Sequence, residues 1–307
     1  MDEPALLELL RAVDETGYRF VTVTPETHRR VIRRRGAGSA RDLRDVFGWS
    51  LPFEPGMLPA RIEGALRRSA MVERDGRRWR SAVRVSSLGE RLFLHSAFPT
   101  DDEHAIFFGP DSYRFAAFLA AELPALGPVR RIVDIGAGSG VGGIVAAGLA
   151  PGARIVLADV NPLALRFAQV NADMSGLTVE TVQGAGLSAV EGPFDVVIAN
   201  PPFIMDPAAR TYRDGGDLNG ARLSLDWALE AAERVDPGGA VLLYTGSAIV
   251  AGRDGLREAL DRALPDLGCT LRYAEIDPDI FGEQLDEPGY EAVERIAAIG
   301  AVIRRLP

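Results

Sequence analysis

The sequence predicts an α/β protein: a doubly wound, seven-stranded sheet with helices on both faces, preceded by a helical module that carries a β-hairpin. Three observations predict it. From about residue 111 onward, short apolar, β-branched runs alternate with amphipathic helical stretches, the pattern of a sheet whose strands are joined by crossover helices. One of those runs enters a glycine-rich turn, Gly136-Ala137-Gly138-Ser139-Gly140, that opens an Ala/Gly-rich helix. Before residue 100 the chain shows helical spacing and then a turn pair, Asp75-Gly76, between strand-like segments.

In chain order, the apolar spacing of Leu6, Leu7, Leu9, Leu10 and Val13 predicts a first helix, Thr27 to Arg35 a second, and Asp42 to Phe47 a third with Ser39 as its N-cap. A fourth runs from Pro59 to Ser69. Strands at Met71 to Arg74, Arg77 to Val85 and Arg91 to His95 then make a wing-like hairpin. Helices followed by such a hairpin resemble a winged helix, which serves nucleic-acid binding, protein docking or closure over a site. Thr100-Asp101-Asp102-Glu103 is a polar linker, so the expected units are residues 1–103 and 104–307. In the second unit the strands are Arg131 to Ile135, Arg154 to Ala158, Leu177 to Val182, Phe194 to Ala199, Ala240 to Thr245, Thr270 to Ile276 and Arg295 to Val302. The helices between them are Gly140 to Ala150, Pro162 to Met174, Asn219 to Val235 and Arg253 to Ala263.

Composition narrows the class. A chain of 307 residues, 47% hydrophobic and 25% charged, is long enough for about two globular domains and unlike disordered or collagen-like sequences. No apolar run reaches the roughly 18 residues of a membrane span, and the N-terminus lacks the basic and apolar regions of a signal peptide. A cytoplasmic location with no membrane partner is therefore expected. One cysteine, Cys269, and three scattered histidines, His28, His95 and His104, give no metal-ligand set, so no metal is expected. Charge divides unevenly: residues 1–100 hold 18 arginines against 13 acids, a balance of +5, whereas residues 101–307 carry −14. A basic first module suits nucleic acid or an acidic protein face, although solvated arginine-rich helices read the same way.

The glycine turn carries the first chemistry. Glycines there allow positive φ and close backbone approach, and the helix start presents unpaired N–H groups. About 20 residues on, the run Ile155-Val156-Leu157-Ala158 ends in Asp159, placed to accept hydrogen bonds from ribose hydroxyls. A nicotinamide-binding unit shares this layout, but Asp134 immediately before the glycines disfavours it. So does the segment after the fourth strand, Asn200-Pro201-Pro202-Phe203.

Each residue type in that tetrapeptide has a role. Two prolines fix φ near −65° and stiffen the loop, leaving the Asn200 side-chain oxygen and the Pro201 carbonyl as acceptors, while Phe203 supplies a flat apolar face. Two acceptors beside an aromatic plane suit a planar –NH2 group, an amide or a nucleobase amine. Holding both N–H bonds aims the nitrogen lone pair at an electrophile, so positioning and electrostatics carry the catalysis.

Asp134-Ile135-Gly136-Ala137-Gly138-Ser139-Gly140 together with Asn200-Pro201-Pro202-Phe203 resembles the class I S-adenosylmethionine-dependent methyltransferases of the small-domain, Asn-Pro-Pro-Tyr group. The resemblance covers roughly residues 104–304 and implies a Rossmann-like methyltransferase sheet. It implies S-adenosyl-L-methionine as cofactor, with S-adenosyl-L-homocysteine as product. It further implies that Gly136, Gly138 and Gly140 wrap the methionine part, Asp159 binds the ribose and Asn200 to Phe203 hold the target nitrogen, with Asp134, Ala137, Val160, Asn161, Gly184, Ala185 and Asn200 also among the cofactor-binding residues. Phe108 to Arg114 resembles the family's segment that closes over the cofactor; an ordinary N-cap at Asp111 or Ser112 reads equally well. One departure is Gln183-Gly184-Ala185-Gly186, where the family often has an acidic or polar residue for the adenine amine.

Members of the group methylate protein glutamine or amino groups of RNA bases, so an RNA or protein acceptor is implied; Phe203 in place of the glutamine enzymes' tyrosine favours RNA. A small-molecule acceptor fits the acidic second unit, and a non-catalytic cofactor-binding scaffold is the reading from a different class. Arg210 to Arg222 reads as a substrate loop, Trp79 and Trp227 as packing residues, and Tyr244 to Ser247 as a border of the pocket.

Overall fold

The computed structural model describes residues 1–36, 38–100, 102–205 and 213–307. Four helices come first: α1 (Glu3–Asp14), α2 (Pro25–Arg35), α3 (Leu43–Phe47) and α4 (Ala60–Arg68). The side chains of Asp2, Thr24 and Asp42 accept N-terminal amides of α1, α2 and α3. The cap of α3 is therefore Asp42, not Ser39: the carboxylate three residues before the Asp45 amide outcompetes a serine further upstream.

Two antiparallel ribbons follow in place of one hairpin. Strands β1 (Val72–Asp75) and β2 (Arg78–Ser81) pair around the Asp75-Gly76 turn, and β3 (Val83–Leu88) pairs with β4 (Arg91–Ser96). The break comes at Ala82, whose amide bonds the Met71 carbonyl while its carbonyl accepts the Ala97 amide. Leu6, Leu10, Phe47, Phe53, Leu66 and Val85 form a core with Ala164, Phe167 and Val170, which belong to a helix of the sheet region. That shared core, and Asn171 bonding both the amide and the carbonyl of Leu94, seat the first hundred residues on the rest of the chain.

The sheet region opens with α5 (Pro110–Glu122) and continues β5 (Arg131–Ile135), α6 (Val141–Leu149), β6 (Arg154–Asp159), α7 (Pro162–Met174), β7 (Glu180–Gln183), β8 (Val196–Ala199), α8 (Arg222–Arg234) and β9 (Ala240–Val250). A short β10 (Arg253–Asp254), α9 (Gly255–Ala263), β11 (Cys269–Asp277) and β12 (Val293–Arg305) complete it. The order is β11-β12-β9-β8-β5-β6-β7, with β10 beside β9. The strands from β7 to β9 are parallel, as the alternation predicts. β12 and β11 run antiparallel, because a direct connection from β11 to β12 replaces the crossover helix a parallel pair requires.

One face buries Phe115, Leu119, Ile144 and Ala168 from α5, α6 and α7; the other buries Leu225, Ala228, Leu256 and Leu260 from α8 and α9. Strand order reverses between β5 and β8, since the chain steps outward from β5 to β7 and then returns to β8. In open α/β sheets the crevice beyond the strand ends at such a reversal is where ligands bind. Among the described residues, no helix is long and apolar enough to cross a membrane, and no group of three His, Cys, Asp or Glu is arranged to hold a metal.

Candidate active site

A cavity of about 390 Å³ lies at that reversal, against the carboxyl ends of β5, β6 and β8. The turn after β5 takes its shape from glycine: Gly136, Gly138 and Gly140 have φ of +66°, +54° and +77°, a region L side chains rarely enter. At Gly136 a Cβ would also fall 2.7 Å from the Trp227 ring. The turn's backbone is tied to the next strand. Gly138 N donates to Asp159 Oδ2 (2.8 Å) and Asn161 N to Asp159 Oδ1 (2.9 Å), which fixes the carboxylate at the mouth of the turn with lone pairs to spare. Burial pushes the Asp159 carboxyl above the usual carboxylate range, against the pull of the Asn161 and Gly138 amides.

Asp134 sits deeper, 2% exposed, and accepts the Gly143 amide in the first turn of α6 (2.7 Å). Burial, with a smaller contribution from the nearby Asp159 charge, raises its pKa to about 7 against the pull of the Gly143 hydrogen bond. Opposite, Asp111 on α5 is 1% exposed, accepts Tyr244 Oη–H (2.7 Å), and keeps Oδ2 buried without a partner. Burial shifts this carboxyl upward as well. Ser139 Oγ is likewise buried and unpartnered. Both residues line the cavity.

Asn200-Pro201-Pro202-Phe203 leaves β8 directly into the same cavity. Phe203 is 8% exposed, with its ring against Gly246 of β9, where a Cβ would lie 2.2 Å from Cδ2. Its edge meets Phe281 at 5.6 Å between centroids. The ring is thus clamped on two sides, and less of it is open for stacking than the sequence implies.

Of the residues expected at the site, Asp134, Gly136, Ala137, Gly138, Asp159, Val160, Asn161, Gly184, Ala185 and Asn200 to Phe203 all line the cavity. Gly140 does not: it caps α6 and packs against Ala168, 3.0 Å from a would-be Cβ, so its role is to fit the turn to α7. Gln183 turns away to Val160 O (3.3 Å), leaving Gly184, Ala185 and Gly186 on the wall. Asp111 and Ser112 line the wall too, but α5 is capped at Gly109, whose amide bonds Ser112 Oγ. Tyr244 to Ser247 do not border the cavity, because β9 runs on to Val250; Tyr244 acts through Asp111. Of the expected substrate loop, residues 210–212 lie outside the described residues; Arg213 and Asp214 line the cavity, with Arg213 Nη2 on Gln284 Oε1 (2.7 Å).

Trp227, read from sequence as packing, proves to be part of the wall, and Phe281 was not singled out. Neither carries a local motif. Trp227 looks like any apolar position of an amphipathic helix, and Phe281 arrives from a loop some 80 residues after Asn200.

The glycine turn, the Asp159 carboxylate and the Asn-Pro-Pro-Phe loop meet around one crevice at the strand ends of a Rossmann-like α/β sheet. A family model described as the methyltransferase small domain matches residues 110–213. The release factor glutamine methyltransferase of Moorella thermoacetica is 30% identical over 274 residues, covering 82% of this chain and 92% of the relative. That of Deinococcus radiodurans is 31% identical over 169 residues, 50% of this chain but only 55% of the relative, so the match there spans about half its length. The crystal structure of Trm5b from Pyrococcus abyssi shares the fold, with a TM-score of 0.50 at 14% identity over 76% of this chain and 62% of that one. The chain belongs to the methyltransferase small-domain family.

Proposed function

We propose that this protein is an S-adenosylmethionine-dependent N-methyltransferase acting on a planar amino or amide nitrogen of a macromolecule. The observation that carries the reading is the meeting of the Asp159-anchored glycine turn and Asn200-Pro201-Pro202-Phe203 in one cavity. The cofactor would supply an electrophilic methyl group on a sulfonium. In this reading Asp159 accepts from the ribose hydroxyls, and Asp111 with Ser139 takes the amino-acid end through the oxygen atoms left unpartnered. Trp227, Gly184, Ala185 and Gly186 offer an apolar slot for the adenine. Asn200 and the Pro201 carbonyl hold the acceptor –NH2, and the clamped Phe203 fixes the loop that carries them. No strong base is required, because the nitrogen would become cationic on gaining the methyl group and in that form is acidic enough to give its proton to water.

Residues 1–103 are assigned the recognition of the acceptor. For a nucleobase in RNA, the support is the +5 balance of the first hundred residues and the phenylalanine at 203. For protein glutamine, the support is the near full-length similarity to the Moorella enzyme, whose name states that substrate class. Incubating the protein with methyl-labelled cofactor and separate RNA and protein fractions of the source cell decides between them. Label in neither fraction, with tight cofactor binding, sinks both and points to a small metabolite or a non-catalytic scaffold.

A further inference from the structure

A second cavity, about 470 Å³, opens on the first module, away from the glycine turn and the Asn-Pro-Pro-Phe loop. Four guanidinium groups line it, Arg29 and Arg33 from α2 and Arg78 and Arg80 from β2, against a single carboxylate, Asp75. Arg78 and Arg80 share that carboxylate at 3.9 and 3.4 Å and Arg29 pairs with Glu26 at 3.1 Å, so four guanidiniums against two carboxylates still leave an excess of positive charge. Its remaining wall is aromatic. His28 lies against Phe98 at 4.3 Å and Trp49 at 5.4 Å between centroids, and both of the larger rings are only half-buried.

The floor is the informative part. His28 is 4% exposed and its Nδ1 has no hydrogen-bond partner. Behind the cavity wall Arg84, 4% exposed, lies over the Phe20 ring at 5.6 Å, with Nε and Nη2 buried and without hydrogen-bond partners. Burial and the positive Arg84 hold the His28 pKa down at about 4, so the imidazole is neutral.

Position gives the use. Pro25, at the start of α2, lines the catalytic cavity, while His28, Arg29, Ile32 and Arg33 of the same helix line the second one. Eight residues of helix between Pro25 and Arg33 span about 12 Å. The strand exit Phe98-Pro99-Thr100 repeats this arrangement, with Phe98 and Pro99 at the second cavity and Thr100 at the first.

We propose that this cavity binds a phosphate-bearing nucleotide of a single-stranded RNA acceptor, a few nucleotides from the base presented to Asn200. Guanidiniums take the phosphate oxygens, and the Trp49 and Phe98 rings supply stacking surface for the base, the combination by which single strands are held. The assignment rests on the proposed methyl transfer for its biological sense but not for its test.

The test is fluorescence anisotropy of the full chain with a labelled mixed-sequence RNA oligonucleotide over a salt series, with S-adenosylhomocysteine binding by calorimetry as the check that each variant is folded. Arg33→Glu with Arg78→Gln is expected to weaken RNA binding at least tenfold. It should also flatten the salt slope by about 1.4, two single-strand phosphates at ~0.7 each. Trp49→Leu should weaken binding with little change in slope, and Arg257→Glu, on α9 across the sheet, should change neither. Equal weakening by Arg257→Glu overturns the site, as does an oligonucleotide that fails to bind at low salt while S-adenosylhomocysteine still binds. Displacement of the RNA by a glutamate-rich peptide at equal concentration overturns the nucleotide assignment. RNA that binds here while neither the oligonucleotide nor cellular RNA accepts a methyl group leaves the site standing and removes RNA as the methyl acceptor instead.

Discussion

Tyr244 and Asp111 meet across the edge of the sheet: the phenol in the middle of β9 donates to Asp111 Oδ1 at 2.7 Å, and both residues are buried. A strand position that sequence places at the pocket border thus acts one residue removed, by orienting a carboxylate that does line the cavity. Arg114 adds a longer contact to the same oxygen at 3.4 Å and pairs with Asp277, which closes the network on the outside.

Tyr244→Phe removes the buried donor while keeping the ring. A carboxylate that loses a buried hydrogen bond costs about 1–3 kcal/mol, so the denaturant midpoint should fall accordingly. In a double-mutant cycle with Asp111→Asn the two effects should be non-additive. Additive losses would separate the two residues and remove the orienting role of Tyr244.

Asp159→Ala takes away the acceptor for the Gly138 and Asn161 amides as well as the proposed ribose contact. Hydrogen bonds to a charged group are worth ~1.5–3 kcal/mol, so calorimetry should show S-adenosylhomocysteine binding about 10- to 100-fold weaker. Unchanged affinity places the ribose elsewhere.

How much of this was legible follows from where each signal resides. The glycine turn, Asp159 and Asn200 to Phe203 are each short local signals at a strand end, and strand ends at a reversal in the sheet must converge, so strand order already brings them together. Helix α7 matches its expected bounds, Pro162 to Met174, because Asn161 and Pro162 mark its start in the residues themselves. Gly140 was misassigned for the opposite reason: a glycine that serves helix packing and one that serves a ligand look alike until Ala168 is seen against it. Trp227 and Phe281 reach the cavity only through tertiary packing, and the antiparallel return of β12 rests on a long connection that leaves no local periodicity.

Asn200→Ala should reduce turnover at least 100-fold while S-adenosylhomocysteine affinity stays within about threefold, the signature of an interaction spent on the transition state. Turnover at the parent rate would remove the assigned role of the side-chain oxygen.

Gly246→Ala tests the clamp on Phe203. The added methyl would sit 2.2 Å from Cδ2, so the ring and the loop it anchors must shift. Overpacking of this kind costs ~1–3 kcal/mol, and a displaced Asn200 should lower kcat more than it alters cofactor binding. A variant with parental stability and kcat would mean that Phe203 is not held by β9.

Asp134 gives the fold a pH dependence with a definite sign. Its carboxyl titrates near 7 in the folded chain against 3.8 for the free group, so folding favours the protonated form. The stability this contributes is complete below about pH 3.8 and is lost as pH rises toward 7, because ionising the buried group then works against the fold. Asp134→Asn keeps the shape and abolishes the titration. Between pH 4 and 7.5 the parent should therefore lose stability relative to the variant, by roughly 2–4 kcal/mol at ~1.4 kcal/mol per pKa unit. Asp159 shifts in the same direction but is common to both proteins, so it cancels in the comparison. Parallel stability curves for parent and variant across that range would show that Asp134 is ionised throughout and that the Gly143 amide, with its 2.7 Å hydrogen bond, outweighs burial.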